Sequence, residues 1–348
     1  MTANSRDERV LEAIRERREL VNDAIPTHLP IEEPERLYEA ARYLLDAGGK
    51  RLRPTVMLLV AESVTNTPPL SEPYDSFPDL DGEPRDIMKA AVALEIIQSF
   101  TLIHDDIMDD DDLRRGVAAV HKNYDTETAI LAGDTLYSKA FEILLRTGSP
   151  PDRTVRAIEV LAETCTEICE GQSLDVSFEE RPDILLDEYL DMIERKTAVL
   201  YGASAATPAI LLGADTETVE AMYHYGIDIG KAFQIHDDIL DLTVPSEKLG
   251  KQRGSDLIEN KKTLITVHAK DQGVDVTSML ADETTDSVTE AAIDEAVAEL
   301  ERVGSIEYAR ETAHELIEHG KSRLDTLPES ESRQRLKEIA DYLIERGY

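Results

Sequence analysis

Seven residues, IHDDIMD at 103–109, return almost unchanged as IHDDILD at 235–241. Both copies lie in apolar segments, AVALEIIQSFTLIHDDIM and AMYHYGIDIGKAFQIHDDIL, whose hydrophobic residues recur every three or four positions. That is the period of a helix with a buried face. At about 100° per residue, with Asp105 at zero, Asp109 falls at about 40° and Asp106 at about 100°, while Ile103 and Ile107 fall at about 160° and 200°. Acids and isoleucines thus occupy adjoining flanks, and the same holds for Asp237, Asp238 and Asp241 beside Ile235 and Ile239. Packing the isoleucines inward holds the carboxylates against a cavity, where like charges repel and desolvation is costly. The arrangement calls for a cation.

Composition alone predicts roughly 0.3 chance matches to DDxxD in a chain this rich in Asp. Two matches, each preceded by Ile-His, are therefore more than a solvated acidic face. Asp110 to Asp112, which trail the first copy, read as surface charge. Oxygen-only ligands, too few to close a cage, suit Mg2+ with waters and phosphate oxygens completing its shell, and the spacing is not that of an EF-hand. His104 and His236 lie outside the carboxylate arc and read as structural.

The rest of the chain shows the same helical period, as in RVLEAIRERREL and AAIDEAVAELERV, with no sustained two-residue alternation. A nearly all-α protein follows. Helices are expected over about 5–22, 34–47, 54–64, 86–110, 127–146, 153–172, 186–212 and 216–241, with several more to the end. Five prolines and many acids in Thr65 to Asp86 break the pattern and read as a surface excursion. A second polar stretch, Asp271 to Ser287, reads as a loop or helix connection. No composition break divides the chain, so 1–348 reads as one large helical domain.

With 37 basic and 72 acidic residues, a formal charge of -35 repels nucleic acid and anionic membranes, and suits solubility in a salt-rich cytoplasm. Cys165 and Cys169, four apart on an expected helix, fit neither a disulfide framework nor a CxxC metal site. MTANSRDERV lacks the apolar core of a signal peptide. The uncharged span Thr197 to Ala214 raises a membrane question, which its Pro208 and small polar residues answer in favour of a buried soluble helix.

In so acidic a chain the basic clusters are informative. GGKRLRP brings Lys50, Arg51 and Arg53 together after a Gly-Gly pair; Arg114 and Arg115 follow the first Asp group; Lys251, Lys261 and Lys262 follow the second. Lys196, Thr197 and Gln234 add polar groups on expected helices. Acidic metal sites ringed by cations suit a diphosphate, and such a clamp makes diphosphate a leaving group. No GxxxxGK[ST] segment and no nucleophile elbow occur.

Taken together, these residues resemble the trans-isoprenyl diphosphate synthases, the family of geranylgeranyl and farnesyl diphosphate synthases, from about Gly48 to His268. IHDDIMDDDDLRRG is similar to the family's first aspartate-rich motif and FQIHDDILD to its second. The resemblance implies the all-α isoprenoid synthase fold, a helical bundle around a central cavity, working as a homodimer. It implies three Mg2+ ions held by Asp105, Asp106 and Asp109 and by Asp237, with Asp238 and Asp241 in support. Lys50, Arg53 and Arg115 are then expected to hold isopentenyl diphosphate, and Arg114, Lys196, Thr197, Gln234, Lys251 and Lys261 the allylic diphosphate. Lys196, Thr197 and Gln234 would also act on the cleaving bond. Gln98 stands where many relatives carry a histidine that contacts isopentenyl diphosphate. The short first motif and small Thr101 beside Phe100 imply geranylgeranyl diphosphate (C20) as product, with C15 or C25 as alternatives. A terpene cyclase, a head-to-head synthase or a silent partner subunit shares parts of this pattern, but the first two need no clamp such as GGKRLRP and the last commonly loses motif carboxylates.

Overall fold

Among the described residues the three-and-four spacing is realised as helices. The computed structural model describes residues 3–245, 253–276 and 289–345. In order the helices are α1 (Ala3–His28), α2 (Glu35–Asp46), α3 (Leu52–Thr65), α4 (Ile87–Met108), α5 (Val120–Asn123), α6 (Thr126–Leu144), α7 (Pro151–Glu179), α8 (Leu186–Ile193), α9 (Val199–Leu212), α10 (Thr216–Thr243), α11 (Ser255–Ile258), α12 (Leu264–Asp271), α13 (Glu290–Arg302), α14 (Ser305–Arg323) and α15 (Glu331–Glu345). Side-chain caps fix several starts, as where Asp86 accepts from the Lys89 N–H at 2.9 Å and Asp125 from that of Thr128 at 2.6 Å. The expected helix at 186–212 is interrupted by a π-helical turn, Glu194–Ala198, which apolar periodicity does not reveal.

Two short antiparallel ladders among the described residues were also beyond the periodicity. One pairs β1 (Phe77–Pro78) with β2 (Pro84–Arg85), and the other pairs β3 (Leu113–Arg114) with β4 (Val117–Ala118). The second closes through Arg115 and Gly116, both at positive φ (53° and 78°), as a two-residue hairpin requires.

Contacts group the chain into two compact units: Met1–Ala162 with Ala203–Tyr223 and Leu324–Glu338, and Glu163–Gly202 with His224–Arg323 and Ile339–Tyr348. In the first unit α4 packs beside α6, α3 and α1. Its Ala90, Ala91, Val92, Ala93 and Leu94 are fully buried, and the small side chains allow close approach. In the second unit α12 packs on α14 and α8. Of Thr197–Ala214, Val199–Leu212 is a buried helix. Among the described residues only α4 is long and apolar enough to cross a membrane, and 67% of that window is buried within the fold.

The proline-rich excursion is anchored at two points. Asp79 is buried, and its carboxylate accepts from the backbone N–H groups of Asp81 and Glu83, both at 2.9 Å, from Arg85 at 2.9 Å and from Arg153 at 3.1 Å. Burial pushes the Asp79 pKa up, but these donors outweigh it and hold the carboxyl below its ordinary range. The second anchor is Glu62 of α3, with 0% exposure. It accepts from Arg17 at 2.7 and 2.8 Å, from the hydroxyls of Tyr74 and Ser332 at 2.5 Å each, and from the Leu70 N–H at 3.1 Å. A buried carboxylate persists only when its lone pairs are filled.

Glu62→Ala leaves the guanidinium of Arg17 buried and unpaired, which should destabilise the fold by about 3–5 kcal/mol. Urea denaturation measures that loss, and limited proteolysis should find new cleavage between residues 66 and 86, because Leu70 and Tyr74 lose the same anchor. Unchanged stability and protection would remove Glu62 from this role.

Candidate active site

In the first unit α4 carries the first aspartate set, with Ile107 half-buried where the wheel turns it inward. Ile103 is fully buried, Asp105 is half-buried and Asp109 lies exposed at the helix end. Asp106 has 0% exposure. Its Oδ1 accepts from Arg114 Nε at 2.5 Å, while its Oδ2 is buried with no hydrogen-bond partner. Burial, only partly offset by Arg114, pushes the Asp106 pKa up to about 6. A buried carboxylate oxygen without a donor is the position where a cation supplies what the protein does not.

The hairpin after this helix sends its two arginines apart. Arg114, on β3, reaches back to Asp106 and to Asp111 at 2.6 Å. Arg115, in the turn, reaches the carbonyl oxygens of Gly48 at 2.6 Å and Leu44 at 3.2 Å. Arg115 thereby joins the GGKRLRP loop, whose Lys50 is exposed and Arg53 half-buried. Asp110 and Asp112 pair with Lys122 at 2.8 and 3.1 Å, as surface charges do. Gln98 and Thr101 are half-buried, and the Thr101 hydroxyl turns back to donate to the Gln98 carbonyl at 2.9 Å. Phe100 meets His104 and Tyr137 edge-on, with centroids 4.9 and 5.4 Å apart. His104 rests against α6 at Gly133, where a Cβ would come within 2.2 Å of its Nε2; only glycine admits the ring.

In the second unit the π-helical turn carries Lys196 and Thr197. Such turns re-aim side chains that a regular helix would send elsewhere. The backbone of Lys196 passes so close to Gly171 of α7 that a Cβ there would come within 2.3 Å of its nitrogen. Lys196 donates to Asp175 at 2.5 Å. A polar chain then runs from Thr197, whose hydroxyl donates to Gln234 Oε1 at 3.1 Å, through Gln234 Nε2 to Asp238 Oδ1 at 3.0 Å. The hydroxyl of Tyr189 donates to Asp238 Oδ2 at 2.5 Å. These groups border a cavity of about 130 Å3 together with Lys261, which pairs with Glu259 at 3.0 Å.

The second aspartate set is therefore not three equal ligands. Asp238 is buried and has both oxygens engaged; Asp241 is buried and accepts from the Ser255 hydroxyl at 2.8 Å and the Asp256 N–H at 3.2 Å. Asp237 is the half-buried member. Burial first, then the charges of Asp256 and Asp237, hold the Asp238 carboxyl well above its ordinary range. Among the described residues no three His, Cys, Asp or Glu side chains converge closely enough to hold a metal unaided. The donor set fits a hard cation that takes much of its shell from substrate and water. Lys251 lies outside the described residues.

Three of these residues escaped the sequence reading of the site: Tyr189, Asp175 and Ser255, which lie in ordinary amphipathic or polar sequence. A fourth missed residue is Glu95, whose carboxylate accepts from Arg115 at 3.2 Å and which had a signal, an acid within the apolar run AVALEIIQSF.

A family model described as polyprenyl synthetase matches residues 34–300. Geranylfarnesyl diphosphate synthase of Natronomonas pharaonis is 64% identical over 336 residues, 97% of each chain. Geranylgeranyl diphosphate synthase of Methanosarcina mazei is 48% identical over 339 residues, 97% of this chain and 98% of that one. Among solved structures, the geranylgeranyl pyrophosphate synthetase from the archaeon Geoglobus acetivorans gives a TM-score of 0.84 at 45% identity, covering 96% of this chain and 99% of the other. A polyprenyl synthase from Caulobacter crescentus, complexed with calcium and isoprenyl diphosphate, gives 0.81 at 29% identity over 97% of each chain. The helices, the paired aspartate motifs and these matches lead to one conclusion: the chain is a prenyl-transferring enzyme with the isoprenoid synthase fold and belongs to the polyprenyl synthetase family.

Proposed function

We propose that this chain, 1–348 acting as one catalytic domain, condenses isopentenyl diphosphate head to tail with an allylic diphosphate and releases geranylgeranyl diphosphate (C20). The observation that carries the reading is the buried Asp106 carboxylate, one oxygen of which has no hydrogen-bond partner, in a chain whose basic groups Lys50, Arg53, Arg115, Lys196 and Lys261 cluster near its aspartate motifs in sequence. Asp105, Asp106, Asp109 and Asp237 would hold Mg2+, three ions per site, with Asp238 and Asp241 supporting. Bound Mg2+ neutralises diphosphate oxygens and makes the group a better leaving group.

The chain's own residues divide the remaining work. Lys50, Arg53 and Arg115, with Gln98 as a neutral hydrogen-bond donor, hold isopentenyl diphosphate. Arg114, Lys196, Thr197, Gln234, Lys251 and Lys261 hold the allylic diphosphate, and the polar chain from Thr197 to Asp238 keeps the Gln234 amide in one orientation. Ionisation breaks the allylic C–O bond; the isopentenyl double bond attacks the carbocation and forms the new C–C bond; the departing diphosphate takes the proton lost from the resulting cation. Positive charge and hydrogen-bond donors placed where negative charge develops lower that barrier.

Phe100 and Thr101 limit the product length. A second reading, C25, is favoured by the 64% identical relative that is a geranylfarnesyl diphosphate synthase. Incubation with isopentenyl diphosphate and dimethylallyl, geranyl or farnesyl diphosphate, with Mg2+ in concentrated salt, should consume isopentenyl diphosphate and yield C20, and a metal chelator should stop it. C25 as the end product would select the second reading, and no elongation with any starter would overturn both.

Asp106→Asn supplies a separate check. Because the folded pKa of Asp106 lies above its unfolded value, the charged form is penalised in the fold above about pH 6. Without divalent ions at pH 7.5 the amide variant should melt no lower than the wild type, while kcat falls by about a hundredfold. A lower melting temperature with intact activity would contradict the assignment.

The acidic surface suits a salt-rich cytoplasm, and self-association accompanies this reading. Helix α6 exposes Ile130, Leu131 and Tyr137 at 42%, 56% and 38%, an apolar face suited to a second copy of the chain. Light scattering of the purified protein should give twice the chain mass, and Leu131→Asp should give the single chain mass; a wild-type monomer would dismiss the dimer.

A further inference from the structure

Glu95 lies on α4, three residues before Gln98, and is 3% exposed among fully buried Ala, Val, Leu and Ile side chains. Its Oε1 accepts from two guanidinium groups, Arg51 through Nη1 and Arg115 through Nη2 at 3.2 Å. The other donors of Arg51 go to Asn22 Oδ1 at 2.9 Å and the Leu45 carbonyl at 2.6 Å. Those of Arg115 go to the carbonyls of Leu44 and Gly48. The Arg115 guanidinium also lies on Gly49, where a Cβ would come within 3.0 Å of its Cζ. One buried carboxylate thus gathers two arginines, and these hold the backbone on the approach to Lys50.

Both arginines adopt left-handed backbone, φ 52° and 53°, a conformation that persists in a non-glycine residue only where surrounding contacts impose it. Two guanidiniums against one carboxylate also leave an unmatched positive charge in the cluster. An anion is the natural complement of that surplus.

We propose that Glu95 is the positioning residue of the isopentenyl diphosphate clamp: through Arg51 and Arg115 it fixes the Gly48–Gly49 loop and so the places from which Lys50 and Arg115 meet the substrate. This rests on the reading of Lys50, Arg53 and Arg115 given above. Glu95, 3% exposed and engaged by two arginines, would act through them and not by contact with substrate. Removing its charge should loosen the clamp without altering the groups that act on the allylic diphosphate.

Steady-state kinetics of the wild type, Glu95→Gln and Glu95→Asp, each substrate varied at saturating partner, test this alongside thermal denaturation. Glu95→Gln should raise KM for isopentenyl diphosphate roughly tenfold, with kcat and KM for the allylic substrate within about twofold, and Glu95→Asp should recover part of the loss. Unchanged kinetics, or equal changes in both KM values, would overturn the inference. If Glu95→Gln does not fold, Asn22→Ala removes only the outer acceptor of Arg51. It should raise the same KM by roughly threefold, and no change there would also overturn it. A wild type that consumes no isopentenyl diphosphate would defeat the functional reading itself, whereas an active wild type with an indifferent Glu95→Gln defeats only the role of Glu95.

Discussion

Negative charge placed on apolar helices is the constraint on which the rest depends. Asp106 and Asp238 are buried, and Glu62 and Glu95 with them, in a chain that already carries a formal charge of -35. Desolvating a carboxylate costs several kcal/mol unless donors or cations replace the lost water. The structure meets that cost in two ways. Glu62 is saturated with internal donors and ties α1, α3, the proline-rich excursion and Ser332 together, so it serves the fold. Asp106 keeps one oxygen buried and unpartnered, and under the proposed function a metal ion would meet it there.

The same distinction separates the members of the repeated motif. Asp238 and Asp241 spend their oxygens on Tyr189, Gln234, Ser255 and the Asp256 backbone, and through them shape the surroundings of Thr197 and Gln234. The basic residues divide similarly. Arg51 is wholly internal, Arg114 spans Asp106 and Asp111, and Arg115 links the turn after the first motif to the GGKRLRP loop. Two sequence segments some 65 residues apart, Gly48–Lys50 and Arg114–Gly116, thereby become one structural feature.

Most of the fold was legible because a helix with one buried face writes its period into the sequence; α4, α6 and α10 fall within a few residues of expectation. What was not legible follows from geometry that periodicity does not encode. The π-helical turn at Glu194–Ala198 preserves an apolar, helix-like sequence. The hairpin at Arg115–Gly116 is two residues of positive φ inside a charged run. The anchoring of the excursion depends on Asp79 and Glu62 meeting partners distant in sequence. At the site, the aspartates and basic clusters were visible as residue types out of place in their surroundings. The roles of Tyr189, Asp175 and Ser255 were not, since a tyrosine on an amphipathic helix, an acid on a helix face or a serine after glycine is unremarkable until its partner is known.

Under the proposed function, the unpartnered oxygen of Asp106 receives a metal ion that carries the allylic diphosphate. Titration calorimetry with a non-ionisable allylic diphosphate analogue, with and without Mg2+ in concentrated salt, tests it most directly. Binding should be tight with Mg2+ and weaker by at least about a hundredfold when Mg2+ is omitted or Asp106 is replaced by Asn. Equal affinity in all three conditions would contradict it.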